Sequence, residues 1–251
     1  MSTSDAAEQL WQAPHEDISL PEDEVHVWRA PLGQPPSKVT GFFRTLAPDE
    51  KAKAARFYFE KDREHFIVAR GVLRAILSRY LKGTPDELRF GYSPYGKPFL
   101  VGDSGGDLRF NVSHSDGVGL FAVTRGRELG IDIERMRAEV IEQGIAELFF
   151  SPSEVATLHA LPASQRVDAF FNCWTRKEAY IKARGEGLSL PLDEFDVSLA
   201  PGEPARLLGT RTDAREASRW LMVELAPGAG FKAALVAEQK DWRRRCWQWS
   251  E

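Results

Sequence analysis

Leu129-Gly130-Ile131-Asp132-Ile133-Glu134 reads as a short strand with two unlike faces. Successive side chains of a strand point to opposite sides, so Ile131 and Ile133 turn to a core while Asp132 and Glu134 project together. Two neighbouring carboxylates repel one another unless a hard cation sits between them, and they are also commonplace on a solvent face. Taken alone, the pair leaves both readings open. Outward from this segment, residues 108–112 and 118–123 alternate as strands around Ser113-His114-Ser115-Asp116-Gly117, read as a tight connection. Val25 and Val27 mark an earlier strand, and residues 195–199, 220–225 and 231–236 mark later ones between Pro/Gly turns. Ala47-Pro48-Asp49-Glu50 begins a helix, with proline at its first position and acids in its first turn. The apolar stripe Phe66, Ala69, Val72, Leu73, Ile76, Leu77 and Tyr80 predicts a helix over 62–82 with Gly83 as its stop. Ser151-Pro152-Ser153-Glu154 is a capping box, and a long helix over 165–184 ends at Gly185. Strands and helices mixed without a regular βαβ alternation predict an α+β fold.

The 251 residues are enough for one large domain or two modest halves, and 43% hydrophobic with 28% charged residues is ordinary for a globular protein. No apolar run reaches the ~18 residues that cross a bilayer, and the N-terminus has no secretory pattern. Two cysteines, Cys173 and Cys246, suit neither a disulfide framework nor a zinc site, which predicts a reducing cytoplasm. The net charge is −4, with seven acids and no Lys or Arg in residues 1–28. Residues 44–97 hold twelve Lys/Arg against seven Asp/Glu. A basic zone on a mildly acidic protein predicts a localised anionic ligand or a solvated helix surface, and charge alone does not choose. Residues 1–24 are expected to form a loosely held acidic leader. The weak hydrophobicity of 124–128 places a boundary between an N-terminal half, 25–125, and a C-terminal half, 126–251.

Three further clusters carry candidate chemistry. In Trp174-Thr175-Arg176-Lys177-Glu178-Ala179-Tyr180-Ile181-Lys182, Glu178 and Lys182 stand one helical turn apart, as a plain ion pair or as a further metal carboxylate beside a phosphate-facing lysine. Ser113-His114-Ser115 is no hydrolase triad, since adjacent strand residues face opposite ways, but its hydroxyls and imidazole can hold phosphate. Tyr95-Gly96-Lys97-Pro98 is a turn with a basic residue and lacks the phosphate-cradling P-loop pattern. Arg243-Arg244-Arg245 with Trp242, Trp247 and Trp249 fits either nucleic-acid contacts or a tail whose tryptophans fold onto the body, and the acidic balance favours the tail.

The order of these segments carries more than each one. Lys97-Pro98 is followed by Phe110-Asn111-Val112-Ser113-His114-Ser115, then Gly130–Glu134, then Phe149-Phe150-Ser151-Pro152-Ser153-Glu154. About forty-five residues beyond Gly130 stands Trp174–Lys182, and Gly187-Leu188-Ser189-Leu190-Pro191-Leu192 follows. Across roughly residues 46–200 the chain resembles the 4'-phosphopantetheinyl transferases, in particular the longer, surfactin-synthetase-activating (Sfp-type) branch. The resemblance implies two pseudo-symmetric α/β halves in one chain, working as a monomer. It implies coenzyme A as substrate, magnesium (or manganese) as the ion, and transfer of phosphopantetheine to a serine of an apo acyl or peptidyl carrier from fatty-acid, polyketide or nonribosomal-peptide synthesis. Asp132, Glu134 and Glu178 stand at the family's metal acids, with Glu178 also the candidate base. Lys182 stands near the scissile diphosphate, Ser113 and His114 at a phosphate-contacting loop, and Lys97 at a coenzyme contact. Lys53, Arg56, Arg63 and Arg70 are candidates for the coenzyme's 3'-phosphate. The resemblance implies neither a nucleic-acid nor a membrane partner. Another magnesium-dependent phosphoryl-transfer enzyme and a non-catalytic carrier-binding module are the alternatives.

Overall fold

The computed structural model describes residues 11–15, 17–102, 105–239 and 241–250. Its first half runs β1 (Glu24–Pro31), α1 (Pro36–Thr45), α2 (Pro48–Ala54), α3 (Glu60–Leu81), a small hairpin of β2 (Phe90–Tyr92) and β3 (Pro98–Leu100), then β4 (Leu108–Ser115) and β5 (Val118–Arg125). The second half repeats the plan with β6 (Leu129–Arg135), α4 (Ile145–Phe149), α5 (Pro152–Ala160), α6 (Ala163–Arg184), a small pair of β7 (Phe195–Val197) and β8 (Leu207–Thr210), then β9 (Trp220–Leu225) and β10 (Phe231–Glu238). In each half the last long strand lies between the other two, antiparallel to both, giving β1-β5-β4 and β6-β10-β9. The final strand β11 (Arg243–Gln248) returns to the first half and pairs with β1 in parallel.

Strand alternation builds three apolar layers. Val25, Val27, Leu120 and Ala122 face Ile131, Ile133, Ala233 and Leu235 between the two sheets. The opposite faces of β1 and β5, with Trp28, Ala30, Phe121 and Val123, pack on α1 and α3. Ala234, Val236, Met222 and Trp220 likewise pack on α6. The sheets therefore lie face to face inside, each with a 22-residue helix outside. Both faces of each sheet are covered, so the strands are buried on two sides as burial of apolar area favours.

Several expectations need correction. The connection after β4 is only Asp116-Gly117, both at positive φ (44° and 80°), the two-residue turn that matches strand twist. Ser113, His114 and Ser115 are therefore strand residues paired with β5, not turn residues. The helix α3 starts at Glu60, two residues early, and its left-handed cap is Lys82 (φ 52°), not Gly83. The helix α1, with Pro36 at its start, is not among the expected elements, although Val39, Phe42 and Phe43 stand at helical spacing on its core-facing side. Asp5, Glu8 and Glu16 of the leader lie outside the described residues, but the part near β11 is held. The Gln12 N–H donates to Cys246 O (3.0 Å), Gln248 N donates to Gln12 O (2.7 Å), and Trp11 Nε1 donates to Ala226 O (2.9 Å). The C-terminal tryptophans are buried as the tail reading requires, while Arg243 and Arg245 pair with Asp23 (2.7 Å) and Glu24 (2.9 Å). A buried network fastens β1 to α3 beneath them. Trp28 Nε1 donates to Tyr80 Oη (2.8 Å), which leaves the tyrosine proton for His26 Nδ1 (2.8 Å) and directs His26 Nε2–H at Glu24 (3.0 Å).

Gly130 decides how closely β6 approaches α6. A Cβ there would lie 2.1 Å from the Ala179 carbonyl oxygen and 2.3 Å from the Ala183 nitrogen, both backbone atoms that cannot swing aside. Gly130→Ala is expected to destabilise the protein by about 1–3 kcal/mol as strand and helix part. A thermal melt equal to wild type would mean that this seam has slack.

Candidate active site

Strand β4 is one edge of the first sheet and β6 one edge of the second. An exposed edge leaves alternate backbone N–H groups without partners, and here side chains supply them. Asn111 Oδ1, Ser113 Oγ and Ser115 Oγ accept from the N–H groups of Ile131 (2.9 Å), Ile133 (3.4 Å) and Arg135 (3.0 Å). The two hydroxyls use their protons on the acids of the same strand. Ser113 Oγ donates to Asp132 Oδ1 (2.8 Å) and Ser115 Oγ to Glu134 Oε2 (2.9 Å). Side chains of β4 thus cap the open backbone edge of β6, and both carboxylates are anchored at the seam.

Helix α6 closes the site from the other side. Its segment Trp174–Lys182 divides its labour by face. Arg176 reaches Ser198 O (2.8 Å) and Glu224 (3.2 Å), while Lys177 is wholly buried against Glu154 (2.8 Å), Leu192 O (2.7 Å) and Phe195 O (2.6 Å). Glu154 belongs to the capping box of α5 and also accepts from the N–H groups of Ser151 and Val197 (2.8 Å each). These buried cations fix the rotation of α6 so that Glu178 and Lys182 point toward β6.

The plain ion pair between Glu178 and Lys182 does not form. Lys182 Nζ bonds Asp132 Oδ1 (2.6 Å) and Ser113 Oγ (3.1 Å) across the seam. No side-chain hydrogen bond or ion pair among the described residues holds Glu178. Burial raises the pKa of Asp132 despite the opposing pull of Lys182. Burial and then the charge of Asp132 raise Glu134. Burial, then Asp132, raises Glu178, with Glu134 adding to it. Lys182 therefore acts on all three acids, and Arg137 adds its charge at Glu134 alone. Asp132 Oδ2 is buried with no hydrogen-bond partner among the described residues. As the side chains stand, no group of three His, Cys, Asp or Glu among the described residues is arranged to hold an ion. The orphaned oxygen and the purely carboxylate donor set nevertheless fit a hard, oxygen-seeking divalent cation.

The other candidates fall around this centre unequally. His114 keeps solvent access. The protein mass around its ring lowers its pKa, and the charges of Lys182 and His65 lower it further. Lys97 bridges the start of β6 and the end of α6, donating to Glu128 (2.7 Å), Leu129 O (3.2 Å) and Ala183 O (3.2 Å). It edges a cavity of about 520 Å³ also lined by Arg109 and Arg184. Lys53 and Arg56 line a different cavity, about 700 Å³, with Glu50, Phe57 and Tyr92. Arg70 faces that region but is bound to Glu50 (2.6 Å) and to Tyr92 Oη (3.1 Å), and Arg74 closes on the same buried carboxylate (2.6 Å). Arg63 pairs at the surface with Glu60. Sequence reasoning missed Asn111 and Ser115, whose period-two spacing with Ser113 was the available signal.

Raised carboxylate pKa values mean that the native state binds protons more readily than the unfolded chain, so stability falls as pH rises above the unfolded range near ~4. In chelator, the contribution of these acids to the melting temperature is expected to fall between pH 5 and pH 8, against the opposite trend from His26 and His114, whose pKa values are lowered. Glu178→Gln removes one of the crowded charges and is expected to flatten that fall and raise the pH 8 melting temperature by about 2 °C or more. Parallel pH profiles for the two proteins would remove Glu178 from the strained cluster.

Comparison with known proteins places these elements. The model of the 4'-phosphopantetheinyl transferase superfamily matches residues 128–236, and that of the 4'-phosphopantetheinyl transferase N-terminal region matches residues 34–125. The chain is 39% identical over 245 residues to the 4'-phosphopantetheinyl transferase HetI of Nostoc sp., spanning 96% of this chain and 99% of the relative. It is 35% identical over 158 residues to the 4'-phosphopantetheinyl transferase Sfp of Bacillus subtilis, spanning 63% and 68%. It is also 28% identical over 169 residues to the L-aminoadipate-semialdehyde dehydrogenase-phosphopantetheinyl transferase of Xenopus laevis, spanning 63% and 55%. With the α+β halves, the seam and these matches together, the chain belongs to the 4'-phosphopantetheinyl transferase superfamily.

Proposed function

We propose that this enzyme joins the 4'-phosphopantetheine arm of coenzyme A to a serine hydroxyl of an apo acyl or peptidyl carrier protein, releasing adenosine 3',5'-bisphosphate. The observation that carries this reading is the meeting of Asp132, Glu134, Glu178 and Lys182 at one seam, in a chain whose relatives are named for the same transfer. Asp132, Glu134 and Glu178 would hold magnesium or manganese, which when bound neutralises charge on the diphosphate.

The chain's own residues account for the rest. The serine oxygen attacks the β-phosphorus, the bond to the bridging oxygen breaks, and negative charge grows on the departing phosphate. Lys182 stands where it can exchange Asp132 for that phosphate, and a fixed ammonium group in a partly dry site stabilises the developing charge. Among the described residues no side chain occupies the oxygens of Glu178, and its raised pKa strengthens it as the base for the serine proton. His114, kept largely neutral by its surroundings, can donate one ring N–H to phosphate. Lys97, with Arg109 and Arg184 around the adjoining cavity, and Lys53 and Arg56 around the other, provide the cationic walls that a polyanionic coenzyme needs. Arg63 and Arg70 as 3'-phosphate contacts would first have to leave Glu60 and Glu50.

All these groups come from one chain, which supports action as a monomer. No helix among the described residues is long and apolar enough to cross a membrane. Two cysteines, too few for a disulfide framework, support a reducing cytoplasm as its place. The engagement of Arg243 and Arg245 by acids and the burial of the tryptophans beside them count against a nucleic-acid surface.

Mass spectrometry of a panel of apo carriers, incubated with coenzyme A and magnesium, is expected to show one added phosphopantetheine, with no transfer from ATP and none in excess chelator. Transfer undiminished by chelator would remove the ion from the reaction. Lys182→Met is expected to lower turnover by a factor of about ten to a thousand. Normal turnover by that variant would return Lys182 to a purely structural tie with Asp132.

A further inference from the structure

Three consecutive large aromatics, Phe57-Tyr58-Phe59, form the loop between α2 and α3 and face outward. Tyr58 is 91% exposed and Phe59 64% exposed. Neither belongs to any of the three apolar cores. The loop is nonetheless anchored. Phe57 packs on Phe66 (ring centroids 5.3 Å apart), Phe59 caps α3 through its carbonyl, which accepts from Arg63 N (3.1 Å), and Tyr58 stacks edge-on against Phe59 (4.9 Å). Exposing two aromatic rings on a fixed loop forgoes the burial that stabilises such side chains, and patches of this kind mark interaction sites.

Its position bears on which partner. Helix α3 leaves the loop and within two turns brings His65 to the Asp116-Gly117 turn, where a Cβ on Gly117 would lie 3.6 Å from the ring. The charge of His65 is felt by His114, which in turn feels Lys182. Phe59 and His65 are six residues apart, so the loop lies roughly 9 Å along the helix from the edge of the candidate site. A protein partner covers roughly 800 Å² of each surface, a patch roughly 16 Å in radius, so one docked over the Asp116-Gly117 turn at the edge of the site would reach this loop. Lys53, Arg56 and Lys61 flank the rings. The coenzyme-sized cavity beside them is lined by Phe57, Lys53 and Arg56 but by neither Tyr58 nor Phe59, so these two rings are left over for something other than the small-molecule ligand.

We propose that Tyr58 and Phe59 form a docking edge for the macromolecular acceptor, a small folded protein that presents an apolar patch with an acidic rim beside its reactive serine. The inference rests on the transferase reading given above. The apolar patch would cover the two rings, and the acidic rim would meet the lysines and arginine around them.

The test uses the full chain with Tyr58→Ser and Phe59→Ser combined. Steady-state kinetics with an apo carrier and coenzyme A, and titration of a carrier whose acceptor serine is alanine, give two independent measures. The double variant is expected to raise the carrier KM and Kd by about tenfold or more. Its coenzyme A KM and melting temperature should stay at the wild-type values, and the single variant Tyr58→Phe, which keeps the ring, should leave carrier binding at the wild-type value. An unchanged carrier Kd, or an equal rise in the coenzyme A KM, overturns the docking edge while leaving the transferase reading intact. Wild-type protein that pellets with phosphatidylglycerol-containing vesicles, and a double variant that does not, would overturn it in favour of a bilayer surface. Wild-type protein that transfers to no carrier overturns the transferase reading and the docking edge together.

Discussion

The hydrogen bonds between the side chains of β4 and the backbone of β6 are the constraint on which the rest of the molecule depends. Two sheets could have fused into one by direct backbone pairing, or stood apart with water at both edges. Instead Asn111, Ser113 and Ser115 accept the N–H groups of Ile131, Ile133 and Arg135. Side-chain acceptors hold the edges wider apart than a backbone ladder would, and leave hydroxyl protons over. Those protons go to Asp132 and Glu134, so the device that joins the halves also orients two of the acids. The shared apolar layer behind the seam, with Val25, Val27, Ile131 and Ile133, keeps the sheets from sliding.

The second half then brings acids where acids are unfavourable. Glu178, Glu134 and Asp132 all have carboxyls shifted upward by burial, and among the described residues Lys182 is the cation that acts on all three, with Arg137 adding its pull on Glu134. A protein tolerates such crowding when the surroundings over-determine it, and the buried cations of α6 do so here. Breaking a buried pair such as Lys177 with Glu154 costs about 3–5 kcal/mol, more than the repulsion among partly solvated carboxylates can recover. This explains why the segment Trp174–Lys182 is so dense in charge. Arg176 and Lys177 hold the helix, and Glu178 and Lys182 face the acids of β6. Enzymatic transfer of phosphopantetheine by members of this superfamily needs a site that binds a polyanion, and a cluster short of positive charge with cationic walls around it is suited to complete itself on binding.

Strand β11 adds a further tie. Its pairing with β1 carries the end of the chain back across the first sheet, and buries Trp247 and Trp249 in the first half's core. The two halves repeat one topology, yet neither is closed without the other. The acids at the seam lie where both must be folded, which couples the integrity of the site to that of the whole chain.

Much of this was legible in the residues themselves. The period of two in Gly130–Glu134 correctly separates Ile131 and Ile133 from Asp132 and Glu134. The capping box at Ser151 and the glycine at 185 correctly bound α5 and the end of α6, because caps and left-handed stops are local chemistry. The order of motifs identified the superfamily. Partners distant in sequence were not legible. That Lys182 answers Asp132 and not Glu178, one turn away, depends on the rotation of α6 against β6, which Gly130 and the buried Arg176 and Lys177 set. That Arg70 grips Glu50 depends on how α2 lies across α3, and that the last strand pairs with the first depends on contacts more than two hundred residues apart. Periodicity and capping energies are properties of a few neighbouring residues, whereas edge pairing, helix rotation and the sharing of one cation among three acids exist only once the sheets have met.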